Sequence, residues 1–232
     1  MCPPCRCAGW NTKESRLWNE FIERYHYLGY VPLPGAQIRY LIEGNGQHPG
    51  ALGMGASAWK VAPGDWFIGW SHPRREARLQ LVGNNNRFLI LPWVRVHNLA
   101  SCVLGLLARQ LADDWEEPSN YRPVMLETFV ERDRFRGTCY EAANWIHVGQ
   151  TRGRGKLDRY NRYDQPIKEI FLYPLERSFR DILAGDADGV TEWLRMEDYA
   201  AVMAIPAGRK AISFRYNNLP ISCALAWCQF YA

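Results

Sequence analysis

The chain has 232 residues, of which 47% are hydrophobic and 22% charged, and it carries a formal net charge of +4. That length sustains one well-buried core, and the composition is that of an ordinary globular protein. No run reaches the roughly 18 apolar residues of a membrane span and no secretory leader opens the chain, so a cytoplasmic location without membrane contact is the expectation.

Residues 1–14 read as an N-terminal tail. Its Cys2, Cys5 and Cys7 have no fourth ligand at a sensible spacing, so no metal is expected. Cys102, Cys139, Cys223 and Cys228 sit among apolar neighbours and read as buried thiols. Leu17, Phe21 and Ile22 have helical spacing within Arg16–Tyr25. The Pro- and Gly-rich aromatic loop YHYLGYVPLPGAQ follows. Gln37–Glu43 reads as a strand, Gly44-Asn45-Gly46 as a turn, and Ala51–Trp59 as the hairpin partner, where Gly53 and Gly55 suggest close backbone approach. Trp66–Trp70 reads as a short strand and Asn84-Asn85-Asn86 as a turn.

Arg87–Val96 is a nearly continuous apolar run and so a buried strand, with a bulge or unpaired position demanded by Pro92. Asn98 can cap the next helix, whose apolar face is Leu99, Val103, Leu106, Leu107 and Leu111. Further elements are a strand at Pro123–Val130, a helix at Arg134–Trp145, strands at Ile146–Gly149 and Glu169–Tyr173, and a helix at Leu175–Leu183. The order implies one mixed α/β domain over residues 15–185 with a largely antiparallel first half. Residues 186–232 form a C-terminal extension outside this rhythm, either an extra helical layer or loosely ordered.

The densest chemistry lies in Phe135–Lys156, FRGTCYEAANWIHVGQTRGRGK. Gly137, Gly149, Gly153 and Gly155 give the backbone room, while Tyr140, Asn144 and the arginines supply donors for an anionic or planar ligand. Beyond it Arg152, Arg154, Lys156, Arg159 and Arg162, interleaved with Tyr160, offer charge and a stacking face to nucleic acid; a solvated basic loop is the plainer alternative. Glu127 lies inside an apolar strand, where it either pairs with Arg87 or serves as a general base. His26, beside Tyr27, either moves a proton or is a structural ring.

The strand-to-helix turn Arg95-Val96-His97-Asn98-Leu99-Ala100 resembles the Q/R-x-x-G-x-G/A loop by which GNAT-type acyltransferases cradle coenzyme A. Arg95 takes the first place, Asn98 the middle glycine's, and Ala100 the last, with Ser101 next; Asn tolerates left-handed backbone, while His97 adds bulk where small residues are usual. The resemblance implies an acetyl-CoA or related acyl-CoA donor held by Arg87, Arg95, Asn98, Ala100, Ser101 and Asn144. It also implies a leaving thiolate protonated by Tyr140, which could equally be a core residue.

YHYLGY, PLPGAQIRYLI, ALGMGASAWK, NNNRFLILPWVRVHNLAS and LETFVERDRFRGTCYEAANWIHVGQTRGRG together resemble the DruA family of the Druantia anti-phage system, over about Trp18–Phe179. Members of that family also occur beside transposases. A more distant similarity is to Mom-type DNA-modification proteins, whose pattern is met by His26 with Tyr27, Arg87, Glu127, and Gly137, Tyr140, Ala142, Asn144 and Trp145. These resemblances imply a single-domain GNAT-like fold and a role in anti-phage defence or mobile elements. Two functions are open: a transferase acting on nucleic acid, with His26, Tyr27, Glu127 and Tyr140 as catalytic candidates, or a non-catalytic DNA-binding module. Either would partner DNA and other subunits of a defence system or transposase.

Overall fold

The computed structural model describes residues 12–57, 61–153 and 165–185, together with the backbone of 208–213. A helix α1 (Thr12–Tyr25) leads through the aromatic loop to the hairpin β1 (Gln37–Gly44) and β2 (Gln47–Ala56). Two short helices follow, α2 (Ala62–Ile68) and α3 (His72–Arg78). Then come β3 (Val82–Ile90), the long α4 (Leu99–Ser119), β4 (Met125–Glu131), a single turn α5 (Thr138–Glu141), β5 (Ile146–Gln150), β6 (Lys168–Pro174), α6 (Phe179–Ala184) and β7 (Gly208–Ser213).

The strands form one mixed sheet in the order β5-β6-β4-β3-β2-β1-β7. β1, β2 and β3 are successive antiparallel neighbours, as are β4, β6 and β5; β3–β4 and β1–β7 are parallel. A parallel step from β3 to β4 requires a crossover, and α4 supplies it. Alternation along the strands sorts side chains to two faces. Ile38, Tyr40, Ile42, Leu52, Met54, Leu126 and Phe171 pack beneath Val103, Leu104, Leu107, Leu111 and Trp115 of α4. Each buried leucine of that stripe contributes about 1.5–3 kcal/mol. On the other face, Trp18 and Ile22 of α1 cover Leu41, Ala51 and Leu89, while Ile68, Phe179 and Leu183 cover Val82, Met125 and Leu172.

The mixed α/β class and the antiparallel first half agree with the sequence. Several elements differ from it. Trp66–Trp70 is no strand: Pro63 opens α2, Gly69 ends it in the left-handed region at φ 83°, and Trp66 is solvent-exposed. Asn84–Asn86 is no turn but the middle of β3, because Asn85 satisfies its amide inside the sheet with the carbonyls of Gly53 and Arg87, both about 3 Å away. The strand thus begins at Val82 and ends at Ile90, and the bulge falls opposite Gly53/Met54 rather than at Pro92, which lies in the turn beyond. The helix expected over Arg134–Trp145 shrinks to Thr138–Glu141, between Gly137 at φ 74° and Asn144 at φ 61°. β7 comes from the C-terminal extension and joins the sheet beside β1.

Candidate functional site

β3 and β4 are hydrogen-bonded partners over four residue pairs only, from Val82↔Met125 to Asn85↔Thr128. At that point β3 makes its bulge: Met54 pairs with Asn85, Gly53 with Arg87, and Asn86 is the additional residue. A bulge raises local twist, and beyond this point β3 runs to Ile90 and β4 to Glu131 without pairing, so the gap between their carboxyl ends is the candidate cleft. Open sheets place ligands there.

The floor of the cleft is a neutral polar network. Asn85 Nδ2 is committed to two backbone carbonyls, which fixes Oδ1 as an acceptor; the Tyr140 hydroxyl donates to it at 2.7 Å. The Thr128 hydroxyl donates to the Asn85 carbonyl at 3.0 Å and lies 3.4 Å from the Tyr140 oxygen. The Tyr140 ring stacks on Phe171 and meets Trp145 edge-on, and burial pushes its phenol far above the usual range. Gly137 permits that placement: a Cβ there would lie 2.6 Å from the Phe171 ring.

The end of α1 and the turn just after it bridge the two lips. Tyr25 meets Trp93 of the loop after β3 edge-on at 5.0 Å, and Tyr27 packs on Phe135 of the loop after β4 at 5.4 Å. Between them His26 stacks on Tyr27 at 4.9 Å. Burial, and then the nearby Arg87 guanidinium, lower the His26 pKa to about 4, so the ring is neutral at pH 7. Its Nδ1 accepts the Leu28 N–H at 3.3 Å, a bond that assigns the hydrogen to Nε2. Burial and the Glu131 charge raise the Tyr27 phenol, partly offset by Arg87 and Arg134. Arg87 donates to the carbonyls of Asn86 (2.8 Å) and Gly29 (3.4 Å), and burial lowers its pKa.

The ion pair between Arg87 and Glu127 that the sequence allowed does not form. Glu127, buried opposite Asn84, instead accepts a hydrogen bond from Ser57 at 2.9 Å. Asn98 adopts φ 57°, the left-handed conformation for which Asn is suited, and its side chain caps nothing; its carbonyl accepts the Cys102 N–H at 3.0 Å and the Ser101 hydroxyl at 3.0 Å. The amides of Ala100 and Ser101 have no backbone acceptor among the described residues, and Arg95 is exposed in the loop that precedes them. Asn144 is exposed and ends the α5 turn.

The family described as Druantia protein DruA matches residues 9–167. The chain belongs to the DruA family. It is thereby placed in a family of anti-phage defence. No curated protein and no solved structure matches it. The family match spans His26, Tyr27, Arg87, Glu127 and Tyr140, and strands β1 to β5, with β6 and β7 lying beyond it.

Of the residues whose basic and aromatic pattern suggests nucleic-acid contact, Arg152 is exposed just beyond β5; Arg154, Lys156, Arg159, Tyr160 and Arg162 lie outside the described residues, as do Cys2, Cys5 and Cys7. No helix among the described residues is long and apolar enough to cross a membrane, and no group of three metal-ligating side chains is found among them. Sequence reasoning missed Asn85 and Thr128. Three consecutive asparagines before an apolar run look like a turn until the strand is seen to begin earlier. It also missed Arg39 of β1, although Arg39 shares parity with Leu41 and so faces the interior beneath α1.

Proposed function

We propose that this DruA-family chain is a nucleic-acid-linked transferase with a GNAT-like fold, holding an acyl-CoA-type donor in the cleft between β3 and β4. The observation that carries this reading is the parallel pair that parts at a bulge after four residue pairs. Its lips are the start of α4 on one side and the Tyr140 turn on the other. The element order supports it too: antiparallel strands, a crossover helix, a parallel strand, a short tyrosine-bearing helix, then an antiparallel pair. That is the order the resemblance to acyltransferases leads one to expect.

In this reading Arg95 and the outward amides of Ala100 and Ser101 receive the donor's phosphates. Neutral His26 presents an Nε2–H donor to the acceptor carbonyl or hydroxyl, and Tyr27 lies beside it as the accessible phenol. Glu127, which accepts the Ser57 hydroxyl where the strands part, is the carboxylate assigned to take a proton. Tyr140 fixes Asn85 and acts as a positioning residue, because its proton is already committed. Arg152 and the basic segment after it would hold the polymer, DNA, in concert with other subunits of a defence system or transposase.

A second reading, a DNA-binding module without catalysis, draws on that same commitment of the Tyr140 hydroxyl. Titration calorimetry of the whole chain with acetyl-CoA and with coenzyme A separates the two. Saturable binding, weakened about tenfold or more in Arg95→Ala, is expected. Failure of the folded protein to bind either compound overturns the transferase and leaves the module. DNA binding should then still weaken in Arg152→Ala, with the salt slope falling by about one.

A further inference from the structure

Arg39 of β1, Gly53 of β2 and Arg87 of β3 stand in one cross-strand row, since Arg39 pairs with Gly53 and Gly53 with Arg87. Strand spacing of roughly 4.8 Å sets the two arginine Cα atoms about 10 Å apart. Both side chains face α1 across the gap that glycine leaves; a Cβ on Gly53 would come within 3.1 Å of Trp18 and 3.3 Å of the Arg87 Cβ. Each arginine is only 8% exposed.

Their hydrogen bonds are incomplete. Arg39 lies over the Trp18 ring at 4.7 Å and donates well only to Asn19 Oδ1, at 3.0 Å. Gln37 Oε1 at 3.4 Å and the Tyr30 oxygen at 3.5 Å are at the limit of a bond, and the buried Nε has no acceptor. Arg87 is held by two carbonyls. Among the described residues no carboxylate lies within ion-pair distance of either guanidinium. Ring faces and carbonyl dipoles ease the desolvation of two such cations but leave their charge unmatched.

We propose that this row is a binding site for a dianionic phosphate group, either inorganic phosphate or a phosphomonoester. Two buried positive charges call for two negative ones, and guanidinium forks match phosphate oxygens. The cavity between the arginines, lined also by Trp18, Tyr30 and Asn86, measures about 10 Å³. That is room for one water-sized atom, so one phosphate oxygen enters and the remainder rests at the mouth beside exposed Val31. The site needs neither an acyl donor nor DNA, and it stands if the cleft beyond Arg87 proves non-catalytic.

The test is a proton–nitrogen NMR titration of the arginine Nε–H signals in the whole chain. Inorganic phosphate, a deoxynucleoside 5′-monophosphate and the matching 5′-hydroxyl nucleoside are compared at constant ionic strength. The signals of Arg39 and Arg87 are assigned by their loss in Arg39→Met and Arg87→Met. Saturable shifts of both signals are expected with one or both phosphate compounds and none with the nucleoside, with affinity about tenfold lower in Arg39→Lys, which keeps the charge and loses the fork. Which of the two binds identifies the free ion or the monoester as ligand. Unsaturated drift shared with exposed Arg132, or equal binding by Arg39→Lys, overturns the proposal.

Discussion

Two flanks of the same sheet face bury arginine in opposite ways. Between α2 and α3, Arg75 of α3 is 4% exposed and bonded to Asp65 of α2 at 2.8 Å, and the same carboxylate accepts the Trp70 indole N–H at 2.8 Å. Beneath α1, Arg39 and Arg87 are buried as deeply and have amides, carbonyls and ring faces for company, with no acid. The first arrangement is balanced in charge, acid against cation with the indole on the same carboxylate, although Arg75 Nη2 finds no acceptor among the described residues. The second is not. A fold seeking stability alone would replace such cations with apolar side chains of similar volume, often at no loss. The contrast separates a cation that holds the protein together from cations that the protein holds.

Breaking the balanced side should cost most. Asp65→Ala strands the Arg75 guanidinium and the Trp70 N–H, and urea unfolding should record a loss of about 3 kcal/mol. A loss under 1 kcal/mol would erase the distinction between the flanks. Tyr140→Phe tests the neutral network on the opposite face, leaving Asn85 Oδ1 buried without its donor; about 1–2 kcal/mol should be lost in the same assay. His26 sharpens the comparison through pH. Its folded pKa of about 4 lies below the unfolded value of 6.5, so the unfolded chain takes up the proton first. Stability should therefore be complete above pH 6.5 and fall as pH drops towards 4. The loss is about 1 kcal/mol once the solvent reaching the half-buried ring is allowed for, and His26→Gln should flatten that part of the profile. Arg39→Met should have the smallest effect, within about 1 kcal/mol of the parent in either direction, because it removes a charge that nothing in the chain balances.

The sequence carried the sheet better than the site. Gly44-Asn45-Gly46, the Gly53 and Gly55 positions and the leucine stripe of α4 each rest on local chemistry, and each lies where that chemistry puts it. The short helices were lost for a local reason as well. Trp66 and Trp70 suggest a strand, whereas Pro63 and Gly69 impose one α-helical segment between them. What could not be read was partnership across strands. Asn85 looks like turn chemistry until Gly53 and Tyr140 arrive from 32 and 55 residues away to use its amide. Likewise the alternatives for Glu127 could be decided against Arg87 only by the Ser57 hydroxyl, 70 residues distant. Arg39 was passed over because a single charge in a strand ordinarily signals the wet face, and only α1 lying across it reverses the inference.

The bulge at Asn86 also settles what kinds of change this strand can absorb. Because Asn85 and Arg87 pair with the neighbouring residues Met54 and Gly53, the segments before and after Asn86 are each already in step with β2. Excising Asn86 would therefore leave every other residue of β3 on its present side, whereas excising any residue of the flanking runs would turn part of the strand inside out. Loss of that one residue would remove the kink and let β3 run straight alongside β4. An ordinary closed sheet and this cleft-bearing one are thus neighbours in sequence space, separated by a single codon.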